Sequence, residues 1–392
     1  MSTIIQAGRQ ATSDRGDAIR MALLRVDWIL IAGVLAVLAA SLFVIEAATT
    51  TDIPGQPDFF VTRQAFYIAA GLIVMVGVAS LDPDRLASWS WALWGVLLGS
   101  LAVVFVLAPS IRGTRRWIEF GPINLQPSEA GKLLIIIVLA AIVADRMDAS
   151  GPGLTALLAL GATVVPAAIV FAQPDLGTSI VYFAILAVIL LVAGLPWEYF
   201  AVAGGVLVLA AAAVLWVLPA AGAPVLKDYQ VDRLSAFIDS DENVNTVGYQ
   251  LAQSKTAIGS GGALGKGPDG ATQAINRFLP DHHTDFIFAV VGEMFGFVGG
   301  ALLILAYGLI IWRGLRIVGA AGSRFDQLVA AGIVGMIAFE VFVNIGMTVG
   351  IMPVTGIPLP FMSYGGAHIV VALGAVGLLL RIHLRRDPAL AT

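Results

Sequence analysis

Residues 279–296 read LPDHHTDFIFAVVGEMFG. Pro280, Asp281, His282, His283 and Asp285 crowd the first half, and from Phe286 to about Trp312 the chain is apolar. A spanning helix needs about 20 largely apolar residues, so the stretch reads as a polar loop entering a membrane helix. Thr284 or Asp285 is placed to cap that helix, since either side chain can satisfy a free N–H of the first turn. The positive end of the helix dipole favours Asp285 as an anion. A carboxylate is then held at the membrane boundary. Glu293 lies two turns deeper, about 12 Å at about 1.5 Å per residue.

The rest of the chain extends this reading. Of 392 residues, 58% are hydrophobic and 12% are charged, against about 25% charged in soluble domains. The chain therefore belongs in lipid. It has no cysteine, which excludes disulfides and thiolate metal sites. Ten apolar stretches are long enough for spans: 27–47, 62–81, 88–108, 128–144, 154–173, 177–194, 198–219, 285–312, 327–350 and 363–383. The predicted fold is an all-α membrane protein with a single polytopic domain, 27–383. A large loop, 220–284, separates spans seven and eight. The tails are 1–26 and 384–392. The first apolar run lacks a small-residue cleavage site and reads as a retained anchor.

Orientation follows from arginine. Arg9, Arg15, Arg20, Arg25, Arg85, Arg146, Arg313, Arg316, Arg324, Arg381, Arg385 and Arg386 fall on one side. Short loops on the other hold Arg63, Arg112, Arg115 and Arg116. The positive-inside rule puts both termini in the cytoplasm and Asp285 outside. No ATP or nucleotide sugar is available there, so an external enzyme needs an already activated substrate. The glycine-rich run GSGGALGKG, 259–267, has the wrong spacing for a nucleotide phosphate loop, and no strand precedes it. It reads as a flexible turn, or as backbone amides facing a lipid phosphate.

The outer loops carry most of the polar chemistry. In GTRRWIEFGPINLQPSE, 113–129, Arg115 and Arg116 suit phosphates, and Trp117 suits a sugar face. Both residue types are also ordinary at membrane interfaces. Glu129 and Lys132 share a helix face at i, i+3, and charges inside a span usually face protein or a wet cavity. QPDLGTS, 173–179, puts Asp175 at the same boundary. Within loop 220–284, residues 228–238 and 247–258 look amphipathic and suited to the interface. Lys227, Arg233, Lys255, Lys266 and Arg277 give that loop basic groups that suit an anionic lipid head. Glu340 and Asn344 share a face, and GIMPVTGIPLPFMSYGG, 350–366, is broken by Pro and Gly. Such backbone is tolerated near lipid where protein covers it or where it lines a cavity. His368 reads as a packed residue.

Together these pieces resemble the SEDS family of shape, elongation, division and sporulation proteins. The resemblance rests on GTRRWI, QPSEAGK, QPDLGTS, GYQLAQSKTAIGSGG with GKG, LPDHHTDFIFAVVGE and GIMPVTGIPLPFMSYGG, in order from about residue 110 to 370. The QSK and PVTGIPLPF segments resemble the elongation branch more than the division branch. The resemblance implies a peptidoglycan glycosyltransferase that polymerises lipid II outside the cytoplasmic membrane. It also implies a class B penicillin-binding protein as transpeptidase partner. The family's essential aspartate falls on Asp285, its RW pair on Arg116 and Trp117, and its QSK lysine on Lys255. Asp281 stands where the family often has Glu, and Met294 where many members have a second Glu.

The candidate site is therefore Asp285 as catalytic residue, with Arg116, Trp117, Lys255, His283 and Asp175 against substrate. Glu129, Lys132, Glu293 and Glu340 are expected to be structural or to line a cavity. A divalent cation (Mg or Mn) is expected, with Asp285 a possible ligand and base and metal-ligand roles both open. No nucleotide or nucleic acid is expected. Lipid II translocation and non-catalytic scaffolding are the alternatives, although no inverted repeat of the transporter kind is visible.

Overall fold

The structure is a computed structural model describing residues 26–107, 116–120, 123–213, 219 and 247–385. Residues 1–25 and 386–392, Arg112, Arg115, Lys227, Arg233 and the amphipathic stretch 228–238 lie outside the described residues. Each of the ten apolar stretches becomes a helix. Seven are long and apolar enough to cross a membrane: α1 (Trp28–Thr49), α2 (Phe59–Ala79), α5 (Pro127–Ser150), α6 (Pro152–Ala172), α11 (Ile287–Gly319), α12 (Arg324–Val349) and α13 (Gly366–Arg385). Three are shorter: α4 (Ser90–Leu107), α7 (Leu176–Val192) and α8 (Trp197–Ala212). A short α3 (Pro83–Ser88) precedes α4, and α9 (Val247–Gly261) and α10 (Thr272–Ile275) lie in the polar segment before α11.

The helix ends follow local chemistry. Asp27 caps α1 by accepting from Leu30 N at 3.0 Å, and Ser323 caps α12 by accepting from Asp326 N at 3.0 Å. Gly350, left-handed at φ 88°, stops α12. The core gathers around α5, α12 and α13, each with 72% of its apolar window buried, against 22% for α2. The more exposed helices turn apolar side chains outward, as lipid-facing helices do. Arg313 clamps Asp27 with two hydrogen bonds from Nε (3.1 and 3.0 Å) and one from Nη2 (2.7 Å), joining α11 to the start of α1.

Two features depart from the expected pattern. A two-stranded antiparallel ribbon, β1 (Ile118–Phe120) and β2 (Ile123–Leu125), sits before α5, with Ile118 opposite Leu125. It follows the RW pair and needs only local pairing, so no helical periodicity announced it. Helix α11 is also not one straight rod. Gly296 breaks it at φ 63°, ψ −158°.

That break explains the glycine-rich run. A kink strips backbone groups of their i→i−4 partners, and unsatisfied groups at membrane depth are costly. Lys266 N donates to Glu293 O at 3.0 Å and Gly267 N to Met294 O at 2.9 Å. In return, Phe297 N donates to Gly262 O at 2.8 Å and Val298 N to Ala263 O at 3.1 Å. A Cβ on Gly265 would lie 2.1 Å from Met294 O, so only glycine allows this approach. Of the two readings from sequence, the run is a turn, and the amides of Lys266 and Gly267 bind the kinked helix rather than facing a lipid phosphate.

Candidate active site

The turn leading into α11 is built on Asp281, which adopts φ 51°. Its carbonyl accepts from Thr284 N at 3.1 Å, Thr284 Oγ1 at 3.1 Å and Phe286 N at 3.3 Å. The expected cap is corrected here. Phe286 occupies the N-cap position with no side-chain cap bond. Thr284 has turned its hydroxyl back to Asp281, and Asp285 lies two residues before the first helical residue.

Neighbouring elements clamp the backbone of this turn. Asn344 Nδ2, from α12, donates to Asp285 O at 3.0 Å and Ile357 O at 2.8 Å. Ser363 Oγ donates to Thr284 O at 2.6 Å, and Tyr364 N to His283 O at 2.9 Å. Segment 350–365 is itself anchored. Ser41 Oγ donates to Met362 O at 2.7 Å, and Gln64 Nε2 to Ser363 O at 3.2 Å. The irregular backbone is thus covered by protein, and Asp285 is held half-buried at its edge.

Lys255 stands on α9, which packs on α11 and α12. A small apolar cluster of Ala257, Leu279, Phe286, Ala289, Met347 and Val354 joins α9 to the Asp285 turn. Ser254 Oγ fixes the register by donating to Thr348 O at 2.8 Å. Lys255 is exposed and crosses Gly350, where a Cβ would lie 2.2 Å from Lys255 Cε. An apolar groove of about 450 Å³ runs between α1 and α11 at the kink, lined by Val37, Val44, Leu264, Val291, Phe295 and Met362 among others.

The remaining charged candidates form three groups. Glu293 is fully buried and accepts from Lys266 Nζ (3.2 Å), Thr272 Oγ1 (3.2 Å) and Gln273 N (3.1 Å). It staples the segment before α11 onto that helix. Met294, beside it, is buried in the apolar core. Lys132 Nζ lies 2.7 Å from both Glu129 Oε1 and Glu340 Oε1. His368 Nδ1 approaches Glu129 Oε2 at 3.4 Å, so that histidine belongs to the same buried network. Asp175 caps α7 by accepting from Thr178 N at 3.2 Å and also accepts from Gln126 Nε2 at 2.9 Å. Arg116 Nη1 lies 3.9 Å from Asp175, and Arg116 and Trp117 are both half-buried.

Sequence reasoning missed Asp52. It lies in the loop between α1 and α2, and its Oδ2 is 3.3 Å from His282 Nε2 and 3.9 Å from His283 Nδ1. Among the described residues, this trio is the group whose carboxylate and imidazole atoms gather closely enough for a metal ion, and Asp285 is not part of it. Burial, followed by the neighbouring His282, lowers the His283 pKa to about 4 despite the opposing pull of Asp52 and Asp281. The His283 ring packs on Phe60 at 4.6 Å and Tyr364 at 5.5 Å between centroids. Nothing in the sequence near Asp52 points to a partner so distant along the chain.

The fold and site define a multi-pass, predominantly helical membrane protein with a clamped polar turn leading into α11 and an apolar groove between α1 and α11. Residues 20–387 match the FtsW/RodA/SpoVE family, described as cell cycle protein. The chain belongs to this family, the SEDS proteins. Peptidoglycan glycosyltransferase MrdB of Escherichia coli (strain K12) is 37% identical over 347 residues, 88% of this chain and 91% of that protein. Among solved structures, a chain of a peptidoglycan synthase complex that coordinates polymerization and crosslinking superposes with TM-score 0.73. It is 30% identical, covering 92% of this chain and 99% of that one. Thermus thermophilus rod shape determining protein RodA gives TM-score 0.67 at 29% identity, covering 92% and 97% respectively.

Proposed function

We propose that this protein is a peptidoglycan glycosyltransferase that polymerises lipid II on the outer face of the bacterial cytoplasmic membrane during cell elongation. The observation that carries the reading is Asp285, its backbone clamped by Asn344 and by segment 350–365, near an apolar groove. A polyprenyl-linked sugar needs both a fixed polar group and an apolar path. Similarity to MrdB along most of the chain supports the reaction class, and the QSK and PVTGIPLPF segments support the elongation role. The arginine asymmetry supports an outward-facing site.

The reaction joins the 4-hydroxyl oxygen of an acceptor sugar to C1 of the donor. The bond from C1 to the pyrophosphate oxygen breaks, and its electron pair leaves with undecaprenyl pyrophosphate. A β-1,4 bond from an α-linked donor requires inversion by direct attack. Asp285 takes the hydroxyl proton as general base, late in the step because a carboxylate beside a helix N-terminus is a weak base. Arg116 and Lys255 supply positive charge to the departing pyrophosphate. A divalent cation, when bound, adds charge stabilisation of the same kind. The nearby synthase-complex structure supports a class B penicillin-binding protein as the transpeptidase partner.

The test uses purified protein with its partner in detergent, supplied with lipid II. Glycan strands are expected. Lipid movement in sealed vesicles without strand synthesis would replace this reading with translocation. Strands made only by a partner synthase would replace it with scaffolding.

A further inference from the structure

His282 Nδ1 lies 3.1 Å from the carbonyl oxygen of Leu279. A carbonyl only accepts, so Nδ1 is the ring nitrogen turned to Leu279 and Nε2 is the one turned to Asp52. His282 is 4% exposed, yet Nε2 has no hydrogen-bond partner and faces Asp52 Oδ2 at 3.3 Å. A buried imidazole nitrogen and a carboxylate oxygen held this close with no hydrogen bond between them suit a shared cation. His283 Nδ1 repeats the pattern, buried without a hydrogen-bond partner 3.9 Å from the same oxygen. All three ligand atoms fall within 4.8 Å of one another. Ligands bound at about 2.0–2.2 Å around one ion are separated by roughly 3–4 Å.

From this arrangement we propose that Asp52, His282 and His283 bind one divalent transition-metal ion through Asp52 Oδ2, His282 Nε2 and His283 Nδ1. Two imidazoles and one carboxylate suit zinc or manganese, whereas magnesium prefers an all-oxygen octahedron. The Leu279 carbonyl orients the His282 ring from outside the coordination sphere, as backbone partners of ligating histidines do. Three protein ligands leave open positions for solvent. Arg277 does not fill the site. It approaches the other oxygen, Oδ1, with Nε at 3.3 Å, from a side chain that is 50% exposed. Its Nη2 holds the Thr51 carbonyl, and Thr51 Oγ1 donates to Ile275 O at 3.0 Å, so the Asp52 loop is fixed in advance. The ion joins the α1–α2 loop to the turn that ends at Asp285.

The site stands on this geometry alone and is tested without measuring activity, so its failure would leave the glycosyl-transfer reading intact. Full-length protein in detergent is stripped with chelator and titrated with Co²⁺, Zn²⁺ and Mn²⁺, with Mg²⁺ in excess. Binding is followed by Co²⁺ absorption and calorimetry. One Co²⁺ per chain with a histidine-ligand spectrum, displaced by Zn²⁺ or Mn²⁺ but not Mg²⁺, is expected. Affinity should fall by more than about 100-fold in both H282Q and D52N, beyond what outer-shell changes cost. It should persist in D285N. A raised melting temperature on adding Zn²⁺ to the native chain, and not to H282Q of equal monodispersity, is also expected. No binding by the native chain, or binding kept in H282Q and D52N, overturns the proposal. Loss in D285N alone moves the ion to Asp285 and overturns it equally.

Discussion

Asn344 donates to the carbonyls of Asp285 (3.0 Å) and Ile357 (2.8 Å), so one side chain on α12 sets the position of both the turn and segment 350–365. Asn344→Asp keeps the shape but replaces the donor with an oxygen that repels both carbonyls. Two unsatisfied carbonyls cost about 1–3 kcal/mol each. A displacement of about 1 Å at a reacting group costs about a hundredfold in rate. Lipid II polymerisation should fall about a hundredfold, and the melting temperature should drop by several degrees or more while the protein remains monodisperse. Normal polymerisation would show that Asn344 does not position the turn.

Lys132 is shared between Glu129 and Glu340, with all three side chains buried. Removing the cation alone strands two carboxylates. Lys132→Met should therefore destabilise the protein by about 3–5 kcal/mol. The triple change Lys132→Met with Glu129→Gln and Glu340→Gln should recover much of that loss, because no buried charge remains. Thermal unfolding in detergent compares them. Equal stability of the single variant and the native protein would contradict the buried network.

The kink in α11 depends on Gly296, where φ is 63° and an added Cβ would lie 2.4 Å from Gly265 N. Gly296→Ala should lower the melting temperature by several degrees and raise proteolysis within residues 262–270. Gly308→Ala, on the same helix with nothing within 4 Å of its Cβ, should be neutral or slightly stabilising. Similar behaviour of the two variants would mean the kink carries no strain.

Apolar length made the helices legible, because lipid leaves few other structures available. The candidate site was only half legible. Asp285 stood out through its neighbours in sequence, and the resemblance attached Arg116, Trp117 and Lys255 to it. The partners of Glu293 were hidden, since Lys266, Thr272 and Gln273 arrive through a turn whose path the glycines permit but do not announce. The cap on α11 was misplaced because Thr284 had a local competitor, the Asp281 carbonyl. Asp52 was invisible because its histidines lie on the far side of the chain in sequence.

Asp285→Asn tests the central claim most directly. Asparagine keeps nearly the same volume and leaves the backbone carbonyl available to Asn344, so folding and partner binding should persist. It removes the charge and the ability to take the proton, and loss of a catalytic base costs about a hundredfold to ten-thousandfold. The measurement is the rate of glycan synthesis from lipid II by the purified, partner-bound variant, at low and high divalent cation. The account predicts a rate near background at both. Synthesis at the native rate by a folded, partner-bound Asp285→Asn protein would contradict it.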